Sequence, residues 1–187
     1  MRGAWRVDSE GFVAGVRLIP SPNFDDRPQG ALLDLIVIHN ISLPPGEFGG
    51  PGVESLFCNS LNPDEHPYYQ TIWDLKVSSH FFIRRDGEPI QFVSCLKRAW
   101  HAGLSNWRGR ERCNDFSIGI ELEGTDDLPF ADAQYRVLEK LISTLCSAYP
   151  ILNIAGHSDI SPGRKTDPGP CFDWTRFRKN YANLLDS

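Results

Sequence analysis

The 187-residue chain has no basic excess; its formal net charge is −5. A surface that neutralises phosphates needs the opposite balance, which argues against a general nucleic-acid binder. Any anionic ligand would be held by local cations rather than by the global field. Long apolar runs are missing as well. No segment is long enough to span a bilayer, and residues 1–19 scatter Arg2, Arg6, Asp8, Glu10 and Arg17 among apolar positions, unlike a signal peptide. No membrane partner is therefore expected. Cysteine is sparse and unpatterned. Cys58, Cys95, Cys113, Cys146 and Cys171 form no Cys-x-x-Cys pair, so a cysteine zinc knuckle is not expected and reduced thiols are. The compartment that fits is the cytoplasm. There is no internal repeat or low-complexity tract. Length and composition fit one domain over residues 1–187, and nothing points to an obligate partner, so a monomer is expected.

What is present reads as a mixed α+β pattern. Residues 32–38 (LLDLIVI) form a short β-branched run expected as a buried central strand that ends at His39. Residues 40–77 are rich in Gly, Pro, Asn and Asp, with one short helical candidate at 53–57. A stretch this irregular is usually functional or mobile, and here it would serve as a wall or lid. Residues 79–93 carry two β-prone runs around Asp86-Gly87, a hairpin signal. Residues 116–122 (FSIGIEL) alternate as a strand does. Leu138, Leu141, Ile142 and Leu145 predict an amphipathic helix over 132–149, stopped by Pro150. Prolines and glycines force a loop at 161–170, after which Asp173 is placed to cap a last helix through Trp174, Phe177 and Tyr181. The expected fold is a mixed central sheet flanked by helices.

Several residues could carry chemistry. His39 at a strand end, His157 at the start of a polar loop, and a carboxylate from that loop would make a His-His-Asp set with one open position, the ligand pattern of a catalytic zinc site. No His-Glu-x-x-His signature supports it by spacing. Asp159 and Asp167 both remain candidates. Asp159 is suited to capping nearby amides, whereas Asp167 is held extended by Pro168 and is slightly preferred. Glu121 and Glu123 share one face of a strand, which suits either a glycosidase pair or one general base in a metal hydrolase. Lys165 is placed to stabilise an oxyanion. Trp100 with His101 suggests a sugar or peptide platform, and Arg110 with Arg112 suggests forks for carboxylates.

The segments VIHNISLPPGEF, SSHFFIRRDG, RAWHAG, GRERCNDFSIGIELEGTD and RKTDPGPCFDW together resemble the AmpD-type N-acetylmuramoyl-L-alanine amidases, relatives of phage lysozyme-like amidases and peptidoglycan recognition proteins. The likeness runs from about Pro20 to Arg178. It implies one zinc ion per chain on His39, His157 and Asp167, with Glu121 as general base and Lys165 as transition-state stabiliser. Asn40, Trp100 and Arg112 resemble residues lining the substrate groove. Lys76 stands in LKVSSH where some relatives carry an arginine, keeping the charge but not the bidentate fork. The implied reaction splits the amide between the lactyl group of 1,6-anhydro-N-acetylmuramic acid and L-alanine. The implied role is wall recycling in the cytoplasm, which lowers the muropeptide signal for β-lactamase induction. Two rivals are a non-catalytic muropeptide sensor and a metal-free glycosidase using Glu121 and Glu123.

Overall fold

The computed structural model describes residues 5–185; residues 1–4 and 186–187 of the expected 1–187 domain lie outside the described residues. Among the described residues ten strands occur in chain order: β1 (Arg17–Leu18), β2 (Phe24–Asp26), β3 (Leu35–Ile41), β4 (Phe81–Ile83), β5 (Pro89–Gln91), β6 (Lys97–Ala99), β7 (Asn106–Trp107), β8 (Arg110–Glu111), β9 (Ser117–Glu123) and β10 (Asn153–Gly156). Four α-helices accompany them: α1 (Gly52–Phe57), α2 (Asp132–Ala148), α3 (His157–Ile160) and α4 (Trp174–Leu185). The main sheet has six strands in the order β1-β5-β4-β9-β3-β10. Strand β5 runs antiparallel to β4, as the Asp86-Gly87 signal predicts, and the remaining pairs in this sheet are parallel.

The strand β9 alternates Ile118, Ile120 and Leu122 with Ser117, Gly119, Glu121 and Glu123. The apolar set joins Ile36, Ile38, Phe81 and Ile83 on one face of the sheet, where α2 and α4 cover it through Leu138, Leu141, Ile142, Leu145 and Phe177. Each such side chain contributes about 2 kcal/mol by leaving water, so this face holds the molecule together. Buried Gln134 fastens the start of α2 to the sheet. Its Nε2 donates to the carbonyls of Ile83 (3.2 Å) and Glu123 (3.0 Å), and its Oε1 accepts from Ala131 N (3.0 Å). At the other end, Asp173 Oδ1 accepts the Arg176 N–H at 3.0 Å, the cap expected for α4.

The opposite face carries two smaller apolar clusters. One groups Phe82, Ile90 and Phe92 with Leu56 and Phe57 of α1. The other groups Leu35, Val37 and Ala155 with Ala102, Phe116 and Ile160. Polar side chains of β3 and β9 occupy this face beside them. Contrary to the expectation from the sequence, β3 does not end at His39. It continues to Ile41 because β9 keeps pairing with it, Asn40 opposite Leu122 and Ile41 opposite Glu123. His157 likewise opens the single helical turn α3 instead of a loop.

Candidate active site

Register sets the first contact. In the parallel pair β3/β9, His39 lies opposite Glu121, so both side chains leave the same face of the sheet. Strand β10 adds the second histidine. Gly156 pairs with Ile38, which brings the next residue, His157, level with His39. Gly156 also lets the 161–170 loop come close, since a Cβ there would sit 2.8 Å from the Pro168 ring. Ser158 N donates to the Asp167 carbonyl at 2.9 Å, and the Asp167 side chain is thereby presented to both imidazoles.

The three expected donors converge. His39 Nδ1 and His157 Nδ1 are 3.0 Å apart, and Asp167 Oδ2 lies 3.1 Å from the first and 3.0 Å from the second. Two ligands of a tetrahedral ion with bonds of ~2.1 Å stand ~3.4 Å apart, close to this spacing. Three lone-pair atoms facing one point are stable only around a cation or a shared proton, so the donor chemistry fits a bound metal. The far nitrogens are already committed: His39 Nε2 meets His101 Nδ1 at 2.9 Å, and His157 Nε2 meets the Ala102 carbonyl at 3.1 Å. Asp159, the other candidate, accepts the Gly156 N–H at 2.7 Å and so caps the turn.

Electrostatics suit the same reading. Burial lowers the His39 pKa to about 4 despite its hydrogen bond to Asp167, leaving the ring neutral and able to donate a lone pair. Burial alone would raise Asp167, but its close contacts with the His157 and His39 rings outweigh it and hold the carboxyl below its usual range. Glu121 moves the other way. Burial first, and the charge of Asp167 second, push its pKa well above the ordinary value, with Lys165 opposing them. Its Oε1 is 3.9 Å from His39 Nδ1, and Oε2 is buried without a hydrogen-bond partner among the described residues. A buried carboxyl without a partner beside a candidate cation site is an arrangement that a general base would require.

These groups lie at one end of a cavity of about 530 Å³, a size suited to a small ligand. Its wall comes from the irregular 40–77 segment, through Leu43, Pro45, Tyr68, Ile72 and Leu75. Lys165 lines it from the loop. Asn40 lines it too, its Nδ2 donating to Asp126 Oδ1 (2.7 Å) and the Pro168 carbonyl (3.1 Å), which leaves its own carbonyl oxygen for a ligand. Trp100 contributes its ring while its Nε1 donates to Asp25 Oδ1 at 3.1 Å. Lys76 is exposed and is not part of the lining, although its neighbours Leu75 and Val77 are. Arg112 lies outside this cavity, in a separate depression with Leu104 and Arg164, paired to Asp115 at 3.3 Å. The forks of Arg110 are spent on Asp34, at 2.8 Å each.

Glu123 does not join the site. Its oxygens accept N–H groups from Gly49 (2.5 Å) and Arg85 (2.9 Å), so the pair of free carboxylates that a glycosidase needs is not present. Asp126, which sequence reasoning passed over, lines the cavity and orients Asn40. No local pattern singles it out among the acidic residues of its turn.

Fold and cavity define the class, a hydrolase of α+β build with its charged groups at one end of an apolar groove. Residues 29–170 match the N-acetylmuramoyl-L-alanine amidase family profile. The chain is 57% identical over 178 residues to the 1,6-anhydro-N-acetylmuramyl-L-alanine amidase AmpD of Salmonella typhimurium, covering 94% of this chain and 95% of that one. A crystal structure of a selenomethionine AmpD derivative superposes with a TM-score of 0.89 at 55% identity, over 95% of this chain and 98% of that one. The Escherichia coli amidase AmiD, solved in complex with anhydro-N-acetylmuramic acid-L-Ala-D-γ-Glu-L-Lys, superposes with a TM-score of 0.58 at 30% identity, over 94% of this chain and 65% of that one. The chain belongs to the N-acetylmuramoyl-L-alanine amidase family.

Proposed function

We propose that this chain is a zinc-dependent amidase that hydrolyses the bond between the lactyl group of 1,6-anhydro-N-acetylmuramic acid and L-alanine. The observation that carries the reading is the convergence of His39, His157 and Asp167 beside a buried, partner-poor Glu121. The named substrate of the 57%-identical relative supplies the substrate class. His39, His157 and Asp167 would hold the ion, one per chain. When bound, zinc supplies Lewis acidity, which polarises a carbonyl oxygen and makes a neighbouring water more acidic.

The rest falls to the protein. Glu121 takes a proton from the attacking water on a carboxylate oxygen as the new C–O bond forms at the lactyl carbonyl carbon. Lys165 places its ammonium near the oxygen that gains negative charge, an effect of a few kcal/mol for a well-placed donor. Glu121 then delivers the proton to the alanine nitrogen as the C–N bond breaks. Asn40 and Trp100 orient the substrate along the groove, and the apolar wall shields the reacting bond from bulk water. Lys76 and Arg112 are assigned to the peptide's outer carboxylates, beyond the cavity lining. The chain acts as a monomer in one domain.

The cytoplasm is the proposed location, on the strength of the family likeness and of five thiols that are unpaired. Among the described residues no helix is long and apolar enough to cross a membrane. There the reaction would recycle wall fragments and lower the muropeptide signal for β-lactamase induction. The test is mass spectrometry of products from anhydromuramyl-tripeptide, with the protein zinc-loaded and then chelated. Free tripeptide and anhydromuramic acid, formed only with metal, are expected. Intact substrate from folded, zinc-loaded protein would instead support a non-catalytic muropeptide sensor.

A further inference from the structure

We propose that the His101–Ala102 dipeptide, clamped by Asn114, is the positioning element for both imidazoles of the zinc site, with His101 acting as a positioning residue rather than as a substrate platform. The inference rests on the zinc reading above and extends it to residues that hold no metal themselves.

Proton placement carries the argument. His39 and His157 can offer their Nδ1 lone pairs only as neutral rings protonated on Nε2. For His157 the Ala102 carbonyl, 3.1 Å from Nε2, enforces this, because a carbonyl only accepts. For His39 the partner is His101 Nδ1 at 2.9 Å, which must then be the acceptor, leaving the His101 proton on Nε2. That nitrogen faces the buried Ser117 hydroxyl at 3.3 Å. Each ring proton in the chain His39–His101–Ser117 therefore has a matching acceptor. Although His101 borders the cavity, both its nitrogens are engaged and none remains for a ligand.

The dipeptide is held as a unit. Asn114 Oδ1 accepts the N–H of His101 at 3.2 Å and that of Ala102 at 2.8 Å. Arg164 Nη2 adds a second donor to the Ala102 carbonyl at 2.8 Å. Space for the ring is built into β9: a Cβ at Gly119 would fall 2.5 Å from His101 Cγ and 2.6 Å from its Nδ1. The ring meets His39 edge-on, with centroids 5.0 Å apart and planes at 88°. One turn outside the ligand set thus orients two ligands contributed by different elements.

Outer hydrogen-bond partners of metal-binding histidines commonly change metal affinity about 10–100-fold when removed. The experiment is a zinc titration of the full chain against a competing fluorescent chelator, for wild type, His101→Leu and His101→Asn, with the Co(II) absorption spectrum of each. His101→Leu is expected to weaken zinc by about 10–100-fold and to shift the Co(II) bands. His101→Asn, whose Oδ1 falls near the position of Nδ1, is expected to recover most of both. A wild type that folds but takes no zinc would sink the zinc reading itself. Wild-type affinity and spectrum in His101→Leu would sink only the positioning role, as would equal losses in both variants, which would mean packing and not hydrogen bonding. Should His101→Leu fail to fold, Asn114→Ala keeps every ring and releases the clamp. Its expected result is weaker zinc binding, and unchanged affinity would overturn the proposal.

Discussion

Oε1 of Glu123 accepts the Gly49 N–H at 2.5 Å and Oε2 the Arg85 N–H at 2.9 Å. Two residues earlier on the same face of β9, Glu121 leaves Oε2 buried without a partner among the described residues. The first arrangement stabilises a fold; the second stores a cost. A carboxyl whose folded pKa lies above its unfolded value loses stability wherever the unfolded state is ionised, and burial places Glu121 in that position. Glu121→Gln should therefore lower turnover by about 10²–10⁴-fold while raising the thermal midpoint by about 2–4 °C, equivalent to roughly 1 kcal/mol. Glu123→Gln should do the reverse, losing about 1–3 kcal/mol through an orphaned amide while each folded molecule keeps its activity. Turnover and thermal unfolding of the two metal-free and zinc-loaded variants check this. A drop in midpoint for Glu121→Gln as large as that for Glu123→Gln would remove the distinction.

At the scale of elements, β9 shows both what a sequence discloses and what it hides. Its alternation was legible, and with it the shared face of Glu121 and Glu123. The hairpin, α2 and the cap of α4 were legible for the same reason, since each depends on residues near one another in the chain. The neighbour of β9 was not, because parallel pairing with β3 joins residues far apart, and that pairing is what carries β3 past His39. The chemistry of the site was legible as residue types. Spacing left the choice between Asp159 and Asp167 open and the resemblance implied Asp167; where the loop folds back on β10, Asp167 lies against His157 while Asp159 caps the turn. The outward placement of Arg112 and the clamp at Asn114 were illegible, since each depends on a turn that brings distant positions together. Gly119→Ala tests an element-scale dependence. The added methyl keeps the strand but intrudes on the His101 ring, costing about 1–3 kcal/mol by overpacking. Zinc affinity should fall as it does for His101→Leu, although no ligand is altered. Retention of full affinity in a folded Gly119→Ala variant would mean that the ring's position is not set by β9.

Across the whole molecule, the sheet divides an apolar face under α2 and α4 from a face that buries imidazoles and half-buries one guanidinium. Arg27 sits behind the site with carbonyl partners: Nη1 donates to Asn114 (2.9 Å) and Asp115 (3.1 Å), and Nη2 to Ser117 (2.9 Å) and Cys95 (3.1 Å). Burial lowers its pKa only to about 10, so it stays charged. His80 lies beside it, accepting the Gly119 N–H on Nδ1 at 3.0 Å, with Nε2 standing 3.0 Å from both the Lys97 carbonyl and Arg27 Nη2. Burial, and then the charge of Arg27, lowers the His80 pKa to about 3. Burial and the neighbouring histidines also hold His101 well below its usual value. Both rings are neutral in the folded protein and protonate freely when it unfolds. The unfolded state thus binds more protons at any pH between roughly 6.5 and the folded pKa values. Stability from these two groups is complete above that upper limit and is lost as pH falls through the window, at about 1.4 kcal/mol per pH unit for each. In urea unfolding of the chelated protein at successive pH values, His80 and His101 should contribute a slope approaching two protons between pH ~6 and ~4, with His39 adding to it in the metal-free site and the raised Glu121 opposing it. The His80→Gln variant, compared with itself across the same range, should lose about one of them. A flat profile in the wild type would mean that the buried imidazoles carry charge in the native state. The assignment of Nδ1 of His80 as an acceptor for the backbone of β9 would then have to be given up.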